Sequence, residues 1–137
     1  MAIKSTVVGP GTLKFTAPSA MDMSTQVTKC EISPKANRTD PLTTLSGESI
    51  SGTSTYTAEL TVSAIQDLTT SGFVAWTYTN AGKEGTFEYK PNTAGGATVT
   101  GKCVIDPVTI GGEVGSRAVT EFTFDCPALP TFKGGTA

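Results

Sequence analysis

Histidine is absent from this chain of 137 residues. That removes the usual general base, the centre of a Ser-His-Asp triad and the commonest metal ligand. Charge is scarce as well: 16% of the residues are charged, against about 25% in an average soluble domain. The formal net charge is −2, so there is no basic excess to neutralise phosphates. Tight nucleic-acid binding is thereby disfavoured. The three cysteines, Cys30, Cys103 and Cys126, are an odd number, which argues against a complete disulfide framework. They are expected to be reduced thiols in a cytosolic protein, a Cys103–Cys126 bridge being the lesser alternative. No C-x-x-C pair occurs, so a structural zinc site is not expected, nor is any other metal or cofactor. No apolar run approaches the ~20 residues of a membrane span, and the N-terminus has no signal-like apolar stretch. No membrane partner is expected, and folding is expected in the cytoplasm.

What fills the gap is Thr, Ser and Gly. Threonine favours strands because its branched Cβ fits a pleated surface. The length suits one domain with its own core. The chain is expected to be one domain over 1–137 and mainly β.

The pattern along the chain agrees. Ala2 to Val8 and Thr12 to Ala17 read as a hairpin joined by Gly9-Pro10-Gly11. Thr25 to Ile32 is a strand with Thr28, Cys30 and Ile32 on one face. Ser54 to Ala64 alternates cleanly, with Tyr56, Ala58, Leu60, Val62 and Ala64 against Thr55, Thr57, Glu59, Thr61 and Ser63. Gly85 to Lys90, Ala97 to Ile105, Val108 to Ile110 and Arg117 to Phe124 follow as strands, with Gly111-Gly112 as the turn before the last. The tail after Pro127 reads as a short Gly-rich stub.

Two segments stand apart. Residues 34–53 lack hydrophobic periodicity and carry Pro34, Pro41, Gly47 and Gly52. At about twenty residues this is several times the usual loop length of ~4–6, which marks a functional or disordered loop. Asp67 to Ala81 is a helix candidate, with Asp67 as N-cap and Gly82 as the left-handed residue beyond its end. Against the helix, the string Phe73-Val74-Ala75-Trp76-Thr77-Tyr78-Thr79 would suit a strand.

Candidate catalytic groups are few. Glu84 and Glu88 form at best a weakly signalled carboxylate pair, and solvated surface carboxylates are the better reading. Gly111 to Gly115 is glycine-rich but lacks the Lys-Ser/Thr of a phosphate loop. Trp76, Tyr78, Phe87 and Tyr89 read as a buried cluster rather than a carbohydrate-stacking platform. No enzyme is expected.

An ordered set of segments is similar to a known family. Gly72 to Trp76, Asn80-Ala81-Gly82-Lys83, Phe87 to Pro91, Val99 to Ile105 and Pro107 to Gly115 resemble the major tail, or tail tube, proteins of long-tailed (siphovirus-type) bacteriophages. The similarity is strongest to those of phages infecting actinobacteria. It covers about residues 58–126. The resemblance implies a β-sandwich or barrel with one flanking helix at about 67–81 and a long loop at about 34–53. It implies a structural virion protein that stacks as hexameric rings into the hollow tail tube conducting DNA from capsid to host. Its partners would be further copies of itself, the tape-measure protein, the tail terminator and distal tail proteins, and DNA in transient, non-specific passage. It would reside in the virion tail after assembly in the host cytoplasm. Some relatives carry a C-terminal immunoglobulin-like appendage, which is not expected here.

On that reading the long loop bridges subunits or rings, with Lys35, Arg38, Asp40, Leu42, Leu45 and Glu48 as interface candidates. Glu59 and Glu121, on polar strand faces, are candidates for the lumen wall. The alternatives are an isolated immunoglobulin-like or carbohydrate-binding β-sandwich module, or another head–tail assembly component such as a connector or decoration protein.

Overall fold

The computed structural model describes residues 4–135. Alternating sequence becomes strands β1 (Thr12–Ala17), β2 (Met21–Asp22), β3 (Val27–Arg38), β4 (Leu42–Thr43), β5 (Ser49–Ile50) and β6 (Ser54–Ile65). After the helix α1 (Phe73–Thr79) come β7 (Glu84–Lys90), β8 (Thr98–Val104), β9 (Val119–Cys126) and β10 (Thr131–Lys133). One sheet has the order β10-β8-β7-β1-β2, a second β3-β6-β9, and β4 pairs with β5 alone. The strand pairs are antiparallel. The fold is mainly β with one short helix among the described residues, as the sequence leads one to expect.

The two larger sheets face each other across one apolar core. Leu13, Phe15, Phe87, Tyr89 and Cys103 meet Ala58, Leu60, Val62, Phe122 and Phe124. The rings of Phe15 and Phe124 lie 6.2 Å apart across it, in an edge-on contact. Alternation along β6 and β9 thus sorts core from surface as the residue types dictate. Strand β3 needs a correction to simple alternation. A register shift between Val27 and Lys29 inserts Thr28 as an extra residue. The bulge puts Val27 and Cys30 on the same, inward side.

The helix is shorter than expected. It begins at Gly72, whose conformation is extended, with no side-chain cap. Asp67 does not cap it: its Oδ1 instead accepts from the Thr69 amide (3.1 Å) and hydroxyl (2.7 Å), which satisfies the carboxylate in a local turn. These two bonds hold its carboxyl below the usual range. Four of the seven helical residues, Phe73, Val74, Trp76 and Thr77, are buried. Trp76 stacks 4.9 Å from Phe15 and donates its indole N–H to Ser19 Oγ at 2.9 Å. Tertiary burial therefore decides for helix over the strand propensity of this string. Gly82 has the expected positive φ of 80°.

Four other expectations change. Residues 4–8 form no strand, while residues 2 and 3 lie outside the described set. That segment is tied down by Asn92 donating to the Val7 carbonyl and by Gly9 N–H donating to Pro91 O at 2.7 Å. β1 pairs with β2 and β7 instead. Residues 108–110 are not a strand, and Gly111-Gly112 joins no hairpin, because β8 and β9 belong to different sheets and residues 105–118 cross between them. The tail beyond Pro127 contributes β10 to the edge of the larger sheet. Finally, residues 34–53 are not one irregular loop. Pro34 to Arg38 continue β3, registered against Ser54 to Ala58. Pro34 is tolerated because β3 is an edge strand, where a missing N–H costs no ladder bond.

Candidate functional site

The extension of β3 and β6 carries the small β4–β5 hairpin beyond the core. Every residue from 33 to 56 is exposed. The arm is held by its own polar bonds rather than by burial. Thr39 N–H donates to Thr53 O at 2.9 Å, and Thr53 N–H donates to Thr39 Oγ1 at 2.8 Å. A side chain at Gly52 would overlap the Thr39 carbonyl oxygen, so the two chains can approach this closely only through glycine. At the tip, Thr44 N–H donates to Glu48 O at 2.7 Å and Gly47 N–H to Thr44 O at 3.0 Å. Gly47 takes φ 91°, the left-handed residue that closes a three-residue hairpin loop with a bulge.

The arm gathers most of the interface candidates. Arg38 ends β3, Asp40 links it to the tip, Leu42 lies on β4, and Leu45 and Glu48 sit in the terminal turn. Leu42, Leu45 and Ile50 are all strongly exposed, with Leu45 fully so. Three large apolar side chains thus stand uncovered together on one hairpin, unlike scattered surface leucines. Ile50 and the half-exposed Tyr56 belong to this group although sequence reasoning did not select them. For Ile50 the signal was its place between glycines 47 and 52, outside any alternating run. Tyr56, expected on the inner face of β6, is exposed instead because it lies on the part of the strand that extends beyond the core.

Lys35 falls elsewhere. It lies on the outer, polar face of the β3-β6-β9 sheet, and its Nζ is 2.7 Å from Glu59 Oε1. Hydrogen bonding to Glu59 holds the Lys35 ammonium above its usual range. An interface candidate and a lumen candidate are thus one ion pair. Glu121 shares that face: it is registered opposite Ser63, whose hydroxyl donates to it at 3.1 Å. The two lumen candidates therefore project from the same side of the same sheet. Lys29 lies 3.5 Å from Glu31 on this face too. Between the charges stand hydroxyls, including the mutually bonded Thr61 and Thr123 at 3.3 Å.

Among the described residues, the outer strands of this sheet, β3 and β9, each have one side without a strand partner. At the end of β6 away from the arm, the Gln66 side chain donates to Gly111 O and accepts from Gly111 N–H, both at 3.0 Å. This two-way amide clasp fixes the crossover of residues 105–118 and has no sequence signature.

The remaining candidates do not assemble into chemistry. Glu84 is exposed and Glu88 half-buried, and they face Lys102 (3.6 Å) and Lys90 (3.5 Å). Gly111 to Gly115 lies in the crossover loop. Trp76, Phe87 and Tyr89 are buried, and exposed Tyr78 donates its hydroxyl to Val108 O at 2.9 Å. The three cysteines are buried free thiols, and burial pushes Cys30 and Cys103 up to about 12 and Cys126 to about 11. Among the described residues no group of three or more His, Cys, Asp or Glu is placed to hold a metal ion, and no helix is long and apolar enough to cross a membrane.

No family model matches the sequence, and no curated protein matches it closely. Solved structures do match the fold. A chain in the tail of an empty gene transfer agent particle, determined by helical refinement with C6 symmetry, superposes with a TM-score of 0.63 at 17% identity, covering 90% of this chain and 95% of that one. A chain in the virion of a native gene transfer agent particle gives a TM-score of 0.61 at 18% identity with the same coverage. This chain thus shares its fold with a chain in a gene transfer agent tail and with a chain in a gene transfer agent virion.

Proposed function

We propose that this protein is a structural subunit of a phage-type virion tail. It polymerises as stacked rings, six copies to a ring, into the hollow tube of a long-tailed particle, and DNA passes through that tube. The observation that carries the reading is the fold match over 90% of the chain to a subunit of a C6-symmetric tail. The exposed arm and the open edge of β3 supply two of the faces such a polymer requires. A heterologous interface that closes a ring and then stacks needs several distinct faces on each subunit. The arm, with Leu42, Leu45 and Ile50 uncovered, serves the contact between rings or neighbours. The outer face of β3-β6-β9, bearing Glu59 and Glu121, serves the lumen. Further copies of this chain are the main partners, with tape-measure, terminator and distal tail proteins at the ends and inside.

Negative-stain microscopy of the purified protein at high concentration tests this reading. Rings and tubes are expected. Monodisperse monomers at all concentrations would overturn it and favour an isolated β-sandwich module.

A further inference from the structure

We propose that Glu59 and Glu31 mask the lysines on the outer face of the β3-β6-β9 sheet, so that a passing DNA duplex meets a hydroxyl-lined wall with no uncompensated cation. The inference rests on the proposed role in DNA passage for its biological setting, but the masking itself is read from the sheet.

Register places the side chains in cross-strand rows: Lys29, Ser63 and Glu121; Glu31, Thr61 and Thr123; Ser33, Glu59 and Asp125. Lys35 follows opposite Thr57, diagonal to Glu59. The face thus holds two lysines, and each has a carboxylate beside it, at 2.7 Å for Lys35 and 3.5 Å for Lys29. Glu121 and Asp125 have no cation within ion-pair distance among the described residues. Serine and threonine fill the space between. DNA adheres to protein chiefly through lysine and arginine contacts to phosphate that release counterions. A lysine already neutralised by a neighbour offers little such gain. No aromatic ring stands in these rows to give bases a stacking platform. Exposed ion pairs add little to stability, so the consequence of this pairing lies in the surface field rather than in the fold.

Glu59 therefore differs in kind from Glu121. Neutralising Glu121 subtracts one negative charge; neutralising Glu59 subtracts the same charge and uncovers a lysine. The test is fluorescence anisotropy of a labelled random-sequence DNA duplex titrated with full-length wild type, Glu59→Gln, Glu121→Gln and Glu59→Gln/Lys35→Gln across a salt series. Glu59→Gln should gain binding, with a salt slope steeper by about 0.9 for each lysine–phosphate contact. Glu121→Gln and the double variant should stay at the wild-type level. Equal gains for the two single variants, or a gain that survives loss of Lys35, would overturn the proposal. Wild-type binding as tight as that of Glu59→Gln would do the same. Microscopy of the same preparations separates the two readings: tubes without a Glu59-specific effect refute masking alone, and a Glu59-specific effect without tubes refutes the tail assignment alone.

Discussion

Deleting Thr39 to Ser49 should abolish assembly and leave the subunit folded. The structure sets the size of both effects. Every removed residue is exposed, and none belongs to the apolar core. Arg38 and Ser54 are the last registered pair of β3 and β6, so the deletion leaves Ile50 to Thr53 as the connecting loop. Shortening the connection from residues 39–53 to four residues lowers the closure entropy by (3/2)RT ln(15/4), about 1.2 kcal/mol in favour of the variant. Against this stand the lost bonds of the tip, each worth about 1 kcal/mol or less where solvent competes. The two nearly cancel, and net stability should stay within about 1 kcal/mol of wild type. For a chain of this size that is a shift of about 3–5 °C in the melting midpoint. Polymerisation, in contrast, loses the uncovered Leu42 and Leu45 together. Circular dichroism melts, sedimentation velocity and negative-stain microscopy read the two consequences separately. A midpoint lowered by more than about 10 °C would refute the view of the arm as energetically separate from the core. Tubes of normal length and number would refute its role in assembly.

Four further outcomes follow from the interior and the crossover. Phe124→Ala removes a ring that is 0% exposed, 4.8 Å from Phe122 and 6.2 Å from Phe15. It should cost about 3–5 kcal/mol, seen as a large drop in denaturant midpoint, and a loss under 1 kcal/mol would contradict the packing described. Gln66→Ala removes both arms of the amide clasp on Gly111, so hydrogen exchange should accelerate across residues 105–118 with little change in β6; uniform exchange rates in both proteins would argue against the clasp. The buried thiols should resist alkylation at pH 8 until the chain unfolds, since thiols pushed up to about 12 hold about a thousandfold less thiolate than ordinary ones. The unfolded thiols ionise near 9.0 and the folded ones near 11 to 12. Their stabilising contribution is complete below pH 9 and declines as pH rises toward 12, because the unfolded state then binds fewer protons. Melting midpoints that hold steady between pH 8.5 and 10.5 would count against it.

The legible parts of this fold were those where one residue property maps onto one environment. The alternation of Ala58, Leu60, Val62 and Ala64 states the inner face of β6 without help from any other segment. Phe122 and Phe124 do the same for β9. Helix α1 was harder because Phe73 to Thr79 has strand propensity locally and is helical through burial against Phe15 and Phe122, which no local window contains. The arm was hidden for a related reason. Strand extension from Pro34 to Arg38 is set by pairing with Ser54 to Ala58, a non-local bond pattern that leaves no hydrophobic period when both faces are wet. The pairing of Lys35 with Glu59 was invisible for the same reason, since it depends on register alone. Exposure of the arm's leucines, by contrast, was anticipated by the absence of any periodicity that could bury them.

Pro34 gives the open side of β3 a consequence of its own. Thr39 N–H points inward to Thr53 O, and the Cys30 carbonyl is taken by the Tyr89 hydroxyl rather than by β6. The even-numbered residues of β3 from Cys30 to Arg38 therefore turn their backbone groups toward the open side. Along that row Ile32, Ala36 and Arg38 present a donor, and Pro34 presents none. A strand laid along this side meets a blank rung at one fixed height. Any pairing there is indexed by the blank: a partner acceptor placed opposite Pro34 goes unsatisfied, and sliding by two residues moves a different acceptor into the gap. The proline thus works as a key cut into the edge, which discriminates among registers and hinders the indiscriminate strand addition that a long uninterrupted edge would invite.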